Sequence, residues 1–464
     1  MESTLLQQLV TRQQAYFQTG ATRNYDFRKQ QLRRLLELVQ AHEAAIAAAL
    51  MQDLRKSPME AYATEIGVVM EELRHHLRHL RSWMAPESLP TPLIHFRAKS
   101  YTLAVPHGNT LIIAPWNYPF MLALRPAIGA MAAGNTVVIK PSEAAPAVSR
   151  ILEDIINKHF REEYCKVVST DAKGAAALVE QPFDFIFFTG SSEVGRKVYS
   201  AAAQNLTPVA LELGGKNPCI VDTNMHLEIT AARLVWGKFT NAGQTCVSPD
   251  YIFVPRSMEQ PLTDAIIRNI KKCYGSDPQL SGSYGRIIHE GHWERLVGLL
   301  KDCQIVHGGS ADKEDLYLEP TVVTCSDPKA AIWEQEIFGP VMLLVPYDDM
   351  EEALATIRQH PTPLVAYLFS NNDALATRLM REISCGDFVI NDAVVHFGDI
   401  FMPVGGKGQS GFGKYQGKAT FDIFSHHISV YHKRFFPDLS LRYPPYSGKK
   451  TSLFRKLFAF TYNR

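Results

Sequence analysis

From Thr110 onward the chain keeps one rhythm: a β-rich run of about five residues, a turn, then a helical segment. "TLIIAP" and "TVVIKPS" flank the helical "FMLALRPAIGAMAAG", and "CKVVS" and "FDFIFFTG" follow, each trailed by a helix-like stretch. Strands that alternate with helices require crossover connections, and these build a parallel α/β sheet. A second series begins after "TPVALELGG" and runs through "YIFVP", "LEPTVVTC" and "PVMLLVPYD" to "DFVINDA". The fold class that follows is α/β, with two doubly wound domains and a cleft between them. No internal repeat or low-complexity segment interrupts this pattern.

The first ~80 residues read as helical. "DFRKQQLRRLLELVQAHEAAIAAALMQDL" carries Leu32, Leu35, Leu36 and Val39 at helical spacing, and "EAYATEIGVVMEELRHHLRHLRSWM" repeats the pattern and stops before Pro86. A pair of short strands is expected around Ile94 to Val105, where "FRAKSYTLAVP" partly alternates. At 464 residues the chain is too long for one ordinary core.

Composition narrows the class. Hydrophobic residues at 46%, charged at 20% and aromatic at 10% belong to a globular protein, and a net charge of +1 gives no argument for nucleic acid. The seven cysteines are scattered without CxxC spacing, which fits reduced thiols in a cytoplasmic setting and no metal site. "MESTLLQQLVTRQQ" has no basic region leading into an apolar core, so no secretory signal is expected. Leu103 to Ile139 is apolar-rich, but His107, Asn109, Asn117 and Arg125 interrupt it, and a membrane span needs about 20 nearly unbroken apolar residues.

One cysteine stands apart. In "NAGQTCVSPD", Cys246 follows Gly243, Gln244 and Thr245 and precedes a Ser-Pro pair, a polar, turn-forming setting. Cys219 in "NPCIV" has the apolar surroundings of a structural thiol. Other strand ends carry polar groups. "FFTGSSEVG" offers Gly190 for a turn and Ser191 to cap a helix whose free N–H groups suit a phosphate, or it is an ordinary strand-to-helix turn. "VVIKPSE" places Lys140 and Glu143 where ligands of open sheets bind, or in a solvated loop. "IIAPWNYPF" holds Asn117, either a neutral donor for an oxyanion or a turn asparagine. "ALELGGK" sets Glu212 in an apolar strand, where burial raises a carboxyl towards the range of a general base; the alternative is an ion pair with Lys216.

Taken in order, "PWNYP", "KPSE", "FTGSSEVG", "LELGGK", "GQTC", "EIFGPV" and "PVGGKGQSGFGKYQGKATFDIFSH" resemble the aldehyde dehydrogenase superfamily, over residues 100 to 427. "LTPVALELGGKNPC", "SPDYIFV" and "GKYQGKATFDIFSH" are similar to its class-3 and fatty-aldehyde branch. The resemblance implies two Rossmann-like domains plus a small bridging or oligomerisation β segment. It implies Cys246 as nucleophile, Glu212 as general base, and Asn117 with the Cys246 N–H as oxyanion hole. It implies cofactor contacts at Trp116, Lys140, Ser142, Glu143, Gly190, Ser191, Val194, Gly195, Leu213, Glu336 and Phe338. Tyr118, Thr245 and His426 are expected in the substrate pocket.

The activity implied is NAD(P)-dependent oxidation of medium-chain aliphatic or aromatic aldehydes to acids, through a thioester that glutamate-activated water hydrolyses. NAD is the first expectation, because the "KPSE" acid repels a 2′-phosphate, and NADP stays open. A coenzyme A-acylating enzyme is the alternative; such relatives typically lack a glutamate at this place, so Glu212 argues against it. A non-catalytic relative would show damage at Cys246, Glu212 or Asn117, and all three are intact.

Two departures stand out. Ala242 replaces a second cysteine often found near the nucleophile, and Val404 in "PVGG" replaces a phenylalanine in a segment that borders the substrate tunnel in the family. The implied domains are a cofactor domain at 1–82 and 104–211, a catalytic domain at 212–390, a bridging segment at 83–103 and 391–430, and a tail at 431–464. A homodimer is implied through the bridging segment. From Val430 to Arg464 the chain holds eight Lys or Arg against Asp438 alone. With Leu453, Phe454, Leu457, Phe458 and Phe460 among them, the tail either packs on its own or a partner subunit or lies on an anionic membrane surface.

Overall fold

A computed structural model describes residues 3–438 and 440–462. Five parallel strands, Asn109–Ile113, Thr136–Lys140, Cys165–Val167, Phe185–Gly190 and Val209–Leu213, form the first sheet. They lie in the spatial order 209–213, 185–190, 109–113, 136–140, 165–167, and the short strand Gly411–Phe412 adds antiparallel beside 209–213. Each of these strands is apolar along nearly its whole length because helices cover both faces.

The second sheet has seven strands in the order 304–307, 321–324, 341–347, 251–255, 218–221, 365–369, 387–390. All run parallel except the edge strand Gln304–His307. Three of its members, Pro218–Val221, Gln304–His307 and Val365–Phe369, lie outside the series read from the sequence.

The N-terminal helices differ from the expected pattern at two places. The long run breaks at His42 into Tyr25–Ala41 and Glu43–Leu54, with Asn24 Oδ1 capping the first by accepting the Asp26 and Phe27 N–H groups. Between Pro58 and Trp83 one turn, Tyr62–Ile66, widens to a π-helix. There the side chain of Glu65 turns fully inward. Such turns are uncommon and recur at functional sites.

The third sheet is antiparallel: Glu87–Leu89, Ala98–Pro106 and Ser425–Lys433. Its first strand starts earlier than expected, and Leu93–His95 is a 3-10 turn, since Pro90 and Pro92 cannot donate to a ladder. Ser425–Lys433 is its edge, nine residues long and mostly exposed. The tail carries a helix, Gly448–Tyr462, and no helix among the described residues is long and apolar enough to cross a membrane.

Candidate active site

The carboxyl ends of strands 109–113, 136–140, 185–190 and 209–213 open on a cleft of about 670 Å³, lined by Trp116, Lys140, Glu143, Thr189, Gly190, Ser191 and Val194 among others. It continues past Trp116 and Gly190 into a cavity of about 250 Å³ that Asn117, Glu212, Leu213, Cys246, His292, Arg295, Glu336 and Phe338 line. On the far side of Cys246 lies a third cavity of about 150 Å³, walled by Val68, Tyr118, Met121, Leu122, Trp236, Thr245, Val394, Val395 and Phe397. Cys246 is the lining residue common to the second and third cavities. One side of the thiol is polar and bears carboxylates; the other is apolar.

The loop before Cys246 is tightly constrained. Asn241, Ala242 and Gly243 have φ of 54°, 50° and 71°, three left-handed residues in succession. Gly243 has no alternative, because a Cβ there would stand 2.2 Å from the Gly339 carbonyl oxygen. Gln244 is fully buried: its Nε2 donates to the Asn241 and Arg286 carbonyls and its Oε1 accepts the Ile288 N–H. Asn217 Nδ2 donates to the Cys246 carbonyl at 2.7 Å, and Tyr367 hydroxyl donates to the Val247 carbonyl. Burial pushes the Cys246 thiol up to about 12, with the Glu336 and Glu212 carboxylates adding to the rise; the backbone N–H groups of Cys246 and Val247 oppose it and lose. The resting group is therefore a thiol, and a base must take its proton before it attacks.

Glu212 is the penultimate residue of the apolar strand Val209–Leu213 and is 6% exposed. Burial, then the Asp387 carboxylate, holds its carboxyl well above the usual range, and Lys414 only partly offsets this. Its Oε1 has no hydrogen-bond partner among the described residues. The expected alternative of a pair with Lys216 does not occur: Lys216 Nζ goes to Asp250 Oδ1 at 2.8 Å and to the Ile332 and Gln335 carbonyls. Space for Glu212 comes from the C-terminal motif. Gly411 pairs with Glu212 across the sheet, and a Cβ on Gly405 would stand 3.0 Å from Glu212 Oε1.

Asn117 is 2% exposed, and its Nδ2 donates one hydrogen to the Gln244 carbonyl at 2.9 Å, leaving the second for a ligand. Its backbone carbonyl accepts Lys56 Nζ at 3.0 Å and Asn241 Nδ2 at 2.8 Å. Lys56 Nζ in turn meets Glu65 Oε1 at 2.5 Å and lies 3.9 Å from the centre of the Tyr118 ring. Glu65 Oε2 accepts the Phe120 and Met121 N–H groups. Sequence reading missed this clamp, because "LRKSP" looks like a solvated turn. Tyr118 hydroxyl and Thr245 Oγ1 are 2.7 Å apart, both on the apolar cavity.

The first cleft suits an elongated, hydrogen-bonding ligand. Thr189 Oγ1 is buried with no partner among the described residues, and Ser191 Oγ accepts the Val194 N–H at the start of helix Ser192–Gln204, whose N-terminus faces the cleft. Lys140 and Glu143 form an ion pair that keeps the Glu143 carboxyl below its ordinary value despite burial. Glu336 packs against Gly214, where a Cβ would lie 2.1 Å from its Oε2, and burial beside Asp250 raises it to about 8. Phe338, at φ 49°, gives its carbonyl to His292 Nε2 at 2.9 Å, and burial drives His292 down to about 3, so it is neutral. Arg295 donates to the Glu336 and Ile337 carbonyls. Neither His292 nor Arg295 was visible as a site residue, since a helix such as "EGHWERL" reads as surface.

Four expectations shift. Ser142 and Gly195 do not line the cleft: Ser142 Oγ caps its own turn by accepting the Ala144 N–H, and Gly195 packs under Leu213. His426 does not reach the apolar cavity, because it sits exposed on strand Ser425–Lys433 opposite Val105. Val404 is not on the tunnel either; it is 1% exposed, bonded through its backbone to Tyr415, and the apolar wall near it comes from Phe397.

The chain matches the model of the aldehyde dehydrogenase family over residues 3–430. It is 43% identical over 437 residues to 4,4'-diaponeurosporen-aldehyde dehydrogenase of Staphylococcus aureus, covering 94% of this chain and 95% of that one. It is 40% identical over 448 residues to the dimeric NADP-preferring aldehyde dehydrogenase of Canis lupus familiaris, covering 96% and 99%. A solved structure, the substrate-bound state of Staphylococcus aureus AldH, superposes with a TM-score of 0.95 at 42% identity, covering 97% of this chain and 99% of that chain.

Proposed function

The chain belongs to the aldehyde dehydrogenase family and oxidises aldehydes with NAD(P); from that premise we propose how its own residues divide the work. The observation that carries the proposal is the position of Cys246, shared between a polar cavity bearing Glu212 and an apolar cavity. NAD(P), when bound, supplies the hydride acceptor. Lys140 and Glu143 hold its ribose end, Ser191 and Trp116 its pyrophosphate, and Glu336 and Phe338 its nicotinamide end. Val194 and Leu213 are cleft-wall contacts, and Gly190 shapes the turn around it.

Cys246 Sγ attacks the aldehyde carbon as its proton leaves to Glu212 through water, because a thiol raised to about 12 is a poor nucleophile until deprotonated. The carbonyl oxygen takes the negative charge and is held by the free Asn117 Nδ2 hydrogen and the Cys246 N–H. Loss of hydride leaves a thioester on Cys246. Glu212 first passes the thiol's proton to solvent; as the carboxylate, a stronger base for its raised pKa, it then removes a proton from water. The hydroxide adds to the thioester carbon and expels the Cys246 thiolate, which takes the proton back from Glu212, to give the acid. Positioned acid–base help of this kind is worth about 10² to 10⁴ in rate.

The substrates are medium-chain aliphatic or aromatic aldehydes, as the apolar wall of Val68, Met121, Leu122, Trp236 and Phe397 favours, with Tyr118 and Thr245 beside the carbonyl. NAD is preferred over NADP through Glu143, and Glu143→Gln raises the relative use of NADP. The deciding assay gives the purified protein hexanal or benzaldehyde with NAD or NADP. Wild type turns over steadily, Cys246→Ala does not, and Glu212→Gln gives one burst. Turnover that requires added coenzyme A would overturn the hydrolytic role of Glu212.

The domain division is 1–82 with 104–211 for the cofactor, 212–390 for catalysis, and 83–103 with 391–430 as bridge, in a cytoplasmic homodimer. The exposed edge Ser425–Lys433 supports pairing with a second copy, since a free nine-residue edge is a template for another strand. Light scattering on a Ser429→Pro variant would separate monomer from dimer. The tail helix exposes Leu453 and Phe458 beside Lys449, Arg455 and Lys456, which supports peripheral contact with an anionic bilayer. No flotation with acidic vesicles at low salt, with or without residues 447–464, would end that reading.

A further inference from the structure

Two cysteines far along the chain from Cys246 face each other at the edge of the second sheet. The strands Gln304–His307 and Thr321–Thr324 pair antiparallel in the register Gln304↔Thr324 and Ile305↔Val323, and the irregularity in that pairing falls beyond Ile305. One step outward, the same register sets Cys303 opposite Cys325. Directly opposed residues of an antiparallel pair hold their Cβ atoms about 4.5–5.5 Å apart. A disulfide spans Cβ atoms about 3.5–4.5 Å apart, so a small approach closes the gap.

Side-chain contacts agree with the register. Burial, then the neighbouring Cys325 thiol, raises the Cys303 thiol to about 12. Cys303 Sγ also reaches the Leu299 carbonyl at 3.2 Å, and Cys325 Sγ the Asp302 carbonyl at 3.4 Å. Both thiols are reduced and only half-buried, so a small oxidant reaches them, whereas Cys165 and Cys219 are buried in the cores.

We propose that Cys303 and Cys325 form a reversible disulfide in response to peroxide. One thiol sulfur attacks the peroxide O–O bond, giving a sulfenic acid and one water. The second sulfur then displaces the sulfenic hydroxyl, which leaves with the second thiol's proton as another water, and the S–S bond forms. Two electrons pass from the two thiols to one peroxide, and a dithiol reductant reverses the change. The bond ties the turn after helix Glu290–Leu299 to strand Thr321–Thr324. That helix carries His292 and Arg295 on the cofactor cleft, so the tether braces one wall of it against local opening.

The experiment treats the full-length wild type with one equivalent of hydrogen peroxide, alkylates the remaining free thiols, and maps digested peptides by mass spectrometry. The expected product joins the Cys303 and Cys325 peptides, two hydrogens lighter, and dithiothreitol releases them. Oxidation raises the thermal unfolding midpoint of wild type and leaves that of Cys303→Ser unchanged. In Cys303→Ser, dimedone traps a sulfenic acid at Cys325. The proposal fails if both cysteines are recovered alkylated or separately over-oxidised, or if either is found joined to a different cysteine.

Discussion

Lys56 and Glu65 offer the sharpest test of how the proposed oxyanion donor, Asn117, is held. Both side chains are 0% exposed and their charged atoms stand 2.5 Å apart, with Lys56 also bonded to the Asn117 carbonyl. Lys56→Met removes the cation and leaves Glu65 and the neighbouring Glu60 uncompensated; Lys56 is what chiefly restrains the rise of Glu60. Breaking a buried pair from one side costs about 3–5 kcal/mol. Glu65→Gln costs less, because an amide oxygen can still accept the Phe120 and Met121 N–H groups. In the double variant no carboxylate at 65 is stranded, so it should be more stable than the sum of the singles by about 1–3 kcal/mol.

The same variants report on catalysis. The Asn117 carbonyl keeps its bond from Asn241 Nδ2 at 2.8 Å in Lys56→Met, so the oxyanion donor is loosened rather than lost. A fall in kcat of about 10- to 100-fold is expected, below the 10²–10³ for deleting such a donor outright. Denaturant unfolding followed by tryptophan fluorescence, with steady-state kinetics on hexanal, measures both. Strict additivity in stability, or an unchanged kcat in Lys56→Met, would refute the clamp.

Three further outcomes follow from the same geometry. The limiting hydrolysis rate should fall as pH drops through the raised pKa of Glu212, and Glu212→Asp should shift that limb while Glu212→Gln abolishes it; a pH profile of kcat decides. Glu336 is raised to about 8, so its protonated form stabilises the cofactor-free protein fully below the ordinary value near 4.5, and that contribution is lost as pH rises through 8. Glu336→Gln should therefore gain on wild type by on the order of a few kcal/mol between pH 5 and 9, measured by unfolding without cofactor. Gly243→Ala drives a methyl onto the Gly339 carbonyl 2.2 Å away at a left-handed position, and should cut kcat at least tenfold with a lowered melting temperature.

Periodicity, turn residues and the strict order of motifs carried a great deal on their own. Alternation of apolar runs with helices made parallel sheets unavoidable, and a carboxylate in "ALELGG" or a thiol in "GQTC" is too costly or too exposed to be passed over, so Glu212 and Cys246 stood out as candidates for chemistry. What local sequence cannot carry is the meeting of distant segments. Lys56 acts on Asn117 from 61 residues away, Asp387 raises Glu212 from the other sheet, and Gly405 opens the space that Glu212 occupies. His426, expected in the pocket, lies away from the apolar cavity for the same reason, since which face of a strand meets the cavity is set by packing across sheets. A residue's chemistry is written in its side chain and its neighbours along the chain. Its pKa, its partner and its access to substrate are set by burial and by charges that only the folded chain brings within a few ångströms.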